Sequence, residues 1–115
     1  MNKFLNQGAK FLLPENLNYY KLLKIFYNNL KKTNQEFQNK EEIYNICKNL
    51  EEFKEMERIH FDEYIQTLCD WGNLEKSPKL ETIDKYNEFI KEKQFYKITS
   101  NTIVLLEAVK KIEQS

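Results

Sequence analysis

Glycine and proline are scarce, with two of each in 115 residues. A fold built from many strands needs turn residues at each reversal, so a β-sandwich or barrel is excluded and helices are expected. Histidine occurs once and cysteine twice, and Cys47 and Cys69 lack any short ligand spacing, which leaves no zinc set and no metal site within the chain. Both cysteines fall on apolar helical positions and are expected as buried free thiols. Arg58 is the only arginine, so the side chain best suited to bidentate guanine contacts is nearly missing. An excess of either charge is missing too: 18 Lys plus Arg balance 18 Asp plus Glu, and no net positive field draws the chain onto phosphates. No apolar run approaches the ~20 residues of a membrane span, and the first 13 residues are interrupted by polar ones where a signal peptide is apolar. A soluble, cytoplasmic protein with no membrane partner is expected.

What the chain does have is a core's worth of apolar side chains: 41% hydrophobic and 14% aromatic, including eight Phe and seven Tyr. At this length one domain spanning 1–115 is expected. Pro14 and Glu15 open a helix expected to run to about Lys32, with Pro in the first turn where its missing N–H costs nothing. Lys21, Lys24, Asn28 and Lys31 or Lys32 form a narrow polar stripe, and the remaining circumference is apolar. One core-facing stripe is the usual need, so this helix is expected to pack on two sides, with the second side in the same core or at a subunit interface. Asn39 followed by Glu42 has capping-box spacing and opens a second helix on Ile43, Ile46, Cys47 and Leu50. The charged stretch 51–59 reads as a connector with Phe53 and Met56 as apolar points.

A third helix is expected from Phe61 to about Trp71 on Phe61, Tyr64, Ile65 and Leu68, with acidic residues in its first turn and Gly72 as its stop. Leu74 begins a short strand, Thr82 to Lys93 carries Ile83, Tyr86, Phe89 and Ile90 at helical spacing, and Phe95 to Thr99 reads as a returning strand. Ser100 or Thr99 caps a last helix whose Ile103, Leu106, Val109 and Ile112 are expected to face inward. The order predicts a mostly α fold with a small β-wing: a winged helix-turn-helix with an extra helix inserted in the wing.

The helix that reads bases in such a fold would here be Phe61 to Trp71, with Asp62, Glu63 and Asp70 and no cation. Sequence-specific nucleic-acid binding is therefore not expected. If nucleic acid binds at all, Lys76, Lys79, Lys91, Lys93 and Lys97 of the wing would touch its backbone. His60 has no nucleophile motif, phosphate loop or ligand pair beside it, so no catalytic residue, no cofactor and no enzyme activity are expected. Trp71, spaced from Tyr64 and Leu68, reads as core rather than as a ligand-stacking ring.

The runs Tyr19 to Phe26, Leu68-Cys69-Asp70-Trp71-Gly72-Asn73-Leu74, Thr82 to Phe89 and Phe95-Tyr96-Lys97-Ile98-Thr99 together resemble the amino-terminal region of the JetA family. These are the kleisin-like subunits of type II Wadjet systems, relatives of the MukF and MksF condensin subunits. The resemblance covers nearly all of the chain from Phe11 onward and implies the first domain of a longer, architectural protein. It implies a homodimerising winged helix within a condensin-like, antiplasmid defence SMC complex, with an SMC ATPase, a kite subunit and a nuclease as partners. A small winged-helix DNA-binding transcriptional regulator is the alternative. The excess apolar surface places the expected dimer interface at Phe4, Leu5, Phe11, Leu12 and Leu13 together with Tyr20 and Tyr27. Acidic substitutions at Tyr20 and Tyr27 are expected to leave the fold intact and dissociate the dimer.

Overall fold

The computed structural model describes residues 7–77, 82–84, 89–91 and 94–114, with 82–84 and 89–91 described by backbone alone. Pro14 makes a 3-10 turn, Pro14–Asn16, that feeds α1 (Leu17–Thr33), two residues after the expected start. The helix stops at Asn34, whose φ of 58° places it in the left-handed region while its N–H reaches the Leu30 carbonyl at 2.7 Å. Asn tolerates that conformation better than any bulkier residue, which is why no glycine is needed here. α1 sinks Leu22, Leu23, Phe26 and Tyr27 into the core.

Gln38 and Asn39 form β1, and Asn39 Oδ1 accepts the Glu41 N–H at 2.8 Å to cap α2 (Lys40–Lys48). Gln38 is buried without charge or loss, because Nε2 donates to the Phe26 carbonyl and Oε1 accepts from Asn29, both at 2.9 Å. The charged connector forms a 3-10 turn, Glu51–Phe53, and sends its two apolar points, Phe53 and Met56, into the core. α3 spans Arg58–Asp70, three residues ahead of the expected start, so Asp62 and Glu63 sit in its second turn and no acidic residue occupies the first. Its end is a Schellman motif: Asn73 N–H donates to the Leu68 carbonyl at 2.8 Å, Gly72 N–H to Cys69 at 3.0 Å, and Gly72 takes φ 81°.

β2 (Leu74–Lys76) and β1 flank the central β5 (Phe95–Ile98), all antiparallel, with Leu74 opposite Ile98 and Gln38 opposite Tyr96. Tyr96 and Ile98 alternate into the core. Between β2 and β5 the described residues of the expected helix over Thr82 to Lys93 are strands instead: β3 (Thr82–Asp84) pairs with β4 (Phe89–Lys91), Ile83 opposite Ile90. Threonine, isoleucine and phenylalanine favour a pleated backbone, and here cross-strand pairing overrides a spacing that also suits a helix. α4 (Ser100–Glu113) follows, burying Thr102 and Leu106, with Ile103 and Val109 at its edge. Ile112 is 73% exposed, against expectation, because α4 leans on α1 along one narrow face only. The chain is mostly helical with a small antiparallel sheet, and its core centres on Phe11, Phe26, Phe61 and Leu68.

Gly72→Ala places a Cβ at positive φ and is expected to lower unfolding free energy by about 1–2 kcal/mol in urea titration; an unchanged midpoint would contradict the left-handed cap.

Candidate interaction surface

The Trp71-Gly72-Asn73-Leu74 run is a junction, and Asn73 is its centre. Its side chain is fully buried, and Nδ2 donates to the Gly8 carbonyl at 2.8 Å and to Thr102 Oγ1 at 2.9 Å. Thr102 and Thr99 hydroxyls lie 2.8 Å apart, and Thr99 Oγ1 donates to the Gly72 carbonyl at 2.8 Å. The main chain closes the circuit, since Thr99 N–H donates to the Asn73 carbonyl at 3.1 Å. One amide therefore joins the N-terminal arm, the end of α3, β2 and the start of α4. Its Oδ1 has no partner among the described residues.

The arm, with a 3-10 turn at Lys10–Leu12, is pinned further by aromatic rings. Phe11 stacks on Tyr20 with centroids 6.4 Å apart, and Lys10 Nζ lies 5.9 Å from the Trp71 ring. Trp71 meets Tyr19 at 4.8 Å, and Tyr19 meets Tyr64 edge-on at the same separation. Trp71 thus packs between α3 and α1 as expected of a core ring. Leu12 and Leu13 are left 40% and 45% exposed, and Leu17, one helical turn on, is 49% exposed.

The expected interface residues divide. Phe11 is fully buried and Tyr27 only 8% exposed, so both belong to this chain's own core. Tyr20 is half-buried, its hydroxyl donating to Glu113 Oε1 at 3.2 Å, and burial with that carboxylate pushes its pKa up. An acidic residue at Tyr27 would therefore be trapped in the core, and the expectation that such a change spares the fold is corrected. Phe4 and Leu5 lie outside the described residues. Leu17 was missed because it opens a helix otherwise dominated by core positions, yet its spacing from Leu13 carries the signal.

The electrostatics of α3 also differ from expectation, since the longer helix includes Arg58. That guanidinium pairs with Glu41, lies 3.7 Å from Asp62 and sits over the Tyr44 ring at 4.7 Å. Lys40 takes Asp62 at 2.7 Å while its Nζ also donates to Gln94 at 3.2 Å, which ties α2, α3 and the sheet together. Glu63 and Asp70 face solvent, as does His60. Of the lysines expected on a wing, Lys97 is held by Glu36 at 3.3 Å and Glu75 at 3.6 Å, whose proximity raises its pKa. Lys76 is exposed, Lys79 and Lys93 lie outside the described residues, and Lys91 is placed in β4 by backbone alone. Among the described residues no three His, Cys, Asp or Glu side chains converge to hold a metal ion. Burial pushes the Cys47 thiol up to about 12, and burial with the Asp70 charge pushes Cys69 up to about 11.

A family model described as protein of unknown function (DUF2397) matches residues 10–115. The chain belongs to the DUF2397 family. No curated protein matches it, and no solved structure does. In this DUF2397 chain the matched region takes in the arm from Lys10, the junction at Asn73 and the whole of α4, while Gly8, whose carbonyl accepts from Asn73, lies just ahead of it.

Asn73→Ala strips the Gly8 carbonyl and Thr102 hydroxyl of their donor and is expected to cost about 2–3 kcal/mol. Trypsin should then cleave after Lys10 faster than in the parent, and equal cleavage rates would show that the amide does not hold the arm. At pH 8 both thiols stay protonated, so a disulfide reagent should modify Cys47 only as fast as the chain unfolds; rapid native labelling would contradict its burial.

Proposed function

We propose that this DUF2397 domain is a non-catalytic protein-interaction and dimerisation module, the amino-terminal domain of a kleisin-like subunit in a condensin-like SMC complex of antiplasmid defence. The observation that carries the reading is the leucine surface at Leu12, Leu13 and Leu17, three large apolar side chains 40–49% exposed within six residues where the pinned arm meets the start of α1. A surface of this kind on a rigid mount suits protein contact. The element order supports a winged-helix assignment: α1, β1, α2, α3, β2, a β3–β4 hairpin in the wing, β5 and α4. The resemblance to JetA proteins supplies the wider setting, with a second copy, an SMC ATPase, a kite subunit and a nuclease as partners. No helix among the described residues is long and apolar enough to cross a membrane, and a cytoplasmic location belongs to the same proposal.

The regulator alternative is disfavoured by α3, whose one guanidinium is engaged by Glu41 and Asp62 while Glu63 and Asp70 face outward. Such a helix would bring carboxylates to phosphates.

Leu13→Glu with Leu17→Glu alters exposed positions and should leave the circular dichroism spectrum and urea midpoint within about 0.5 kcal/mol of the parent. Sedimentation equilibrium should show the parent dimerising and the double variant weakened by at least about 100-fold, since an unpaired charge in a desolvated contact costs several kcal/mol. A parent that stays monomeric at high concentration would sink the dimerisation reading.

A further inference from the structure

The neutral total charge conceals two unlike halves. Residues 7–33 hold five Lys and one Glu, whereas residues 36–70 hold three Lys, one Arg and ten Asp or Glu. α1 has four lysines and no acidic residue at all. The pairing differs in the same way. Lys40, Lys54, Arg58 and Lys97 each have a carboxylate within 4 Å, while Lys21, Lys24, Lys31, Lys32 and Lys110 have none among the described residues. Two of these unpaired ammonium groups are instead laid on tyrosine rings, Lys24 over Tyr20 at 5.3 Å and Lys31 over Tyr27 at 5.4 Å.

Two of these lysines, Lys24 from α1 and Lys110 from α4, line a groove of about 310 Å³ between the two helices, together with Tyr20, Tyr27 and Leu106; Lys21, Lys31 and Lys32 lie along α1 outside its lining. At 100° per residue the four α1 lysines share a sector about 100° wide, and from Lys21 to Lys32 they run roughly 16 Å along the axis. We propose that this groove and lysine row bind the phosphate backbone of a nucleic-acid duplex without reading its sequence. A strand that advances about 3.4 Å per nucleotide presents several phosphates over that length. Lysine supplies point charges rather than the arginine fork that reads base edges, as expected of positioning contacts. Asn28 and Gln114 add amide donors on the rim. Glu113 lies in the groove as well, where the Tyr20 hydroxyl donates to it. This site is distinct from both places where the fold suggests DNA contact: α3 is acidic, and Lys97 of the wing is already paired.

The test is fluorescence anisotropy of a labelled 30-base-pair DNA duplex with the whole chain across a salt series. The parent should bind saturably at low salt, with log K falling linearly against log salt. Lys24→Gln, Lys31→Gln, Lys32→Gln and Lys110→Gln combined should weaken binding at least 30-fold and flatten that slope by roughly 3–4, near 0.9 per lost phosphate contact. Lys76→Gln in the wing should bind as the parent does, and circular dichroism should report the same fold for all three. No saturable binding by the parent, or undiminished binding by the fourfold variant, would overturn the proposal. So would loss of binding in Lys76→Gln, which returns the contact to the wing. Tighter binding of a Glu-rich peptide to the same lysines would also overturn it and assign the groove to an acidic protein.

Discussion

The arm, the end of α3, the sheet and the start of α4 meet at one buried amide. Asn73 sits where the chain leaves a left-handed turn at Gly72, so its backbone is already fixed by the Schellman bonds to Leu68 and Cys69 before its side chain makes any contact. From that fixed point Nδ2 reaches segments 65 and 29 residues away in sequence. A buried polar group left without partners is costly, so the network admits one arrangement of these segments and penalises the rest. An aspartate would place a charge there, and an apolar residue would leave the Gly8 carbonyl and Thr102 without their donor. The position of the exposed leucines follows from this, because the arm that carries them is tied at Gly8 and stapled by Phe11 beneath Tyr20.

The second constraint is the partition of charge. Carboxylates on α2 and α3 engage Lys40 and Arg58, and Lys40 ties Asp62 to the sheet, so these two cations of the acidic half are already paired. The α1 lysines are not. A two-fold contact through the outer face of α1 would set one lysine row against its copy, since a symmetric interface presents the same patch on both sides. The leucine arm has no such repulsion to overcome. The proposed self-association and the proposed anion binding would therefore draw on separate surfaces, the leucine arm with the start of α1 and the outer stripe of α1.

Much of this was legible in the residues, and the failures have physical causes. The 3–4 spacing of Leu22, Leu23, Phe26 and of Ile43, Cys47 placed α1 and α2, Asn39 marked a cap by its short acceptor side chain, and Gly72 marked a stop by tolerating positive φ. The paired strands β3 and β4 differ from the expected helix because Ile83 and Ile90, seven residues apart, suit two helical turns as well as opposite positions on two strands, and only the pairing partner decides. β1 has two residues, too few for any period, and what holds Gln38 in the core is its pair of partners, the Phe26 carbonyl and the Asn29 amide, which no local pattern reports. Arg58 was placed in a connector because α3 begins with a turn that buries nothing before Phe61. The Asn73 network left no local trace, since a side chain's partners across the fold are not a local property and Thr99 and Thr102 sit in a polar run with Ser100 and Asn101.

α4 shows how the two constraints combine. A 14-residue helix is marginal alone, and this one buries little beyond Thr102 and Leu106 while Val104 and Ile112 remain exposed. Its hold on the domain is concentrated at its ends: the Asn73–Thr102–Thr99 circuit at the first turn and the Tyr20–Glu113 hydrogen bond near the last. Between them lies the groove, whose two walls are joined chiefly through Leu106. An anion bridging Lys24 and Lys110 would add a third tie across that gap, so occupancy of the groove and the docking of α4 stabilise each other. By linkage, any partner that orders α4 from its exposed Val104 and Ile112 side also favours the anion-bound groove.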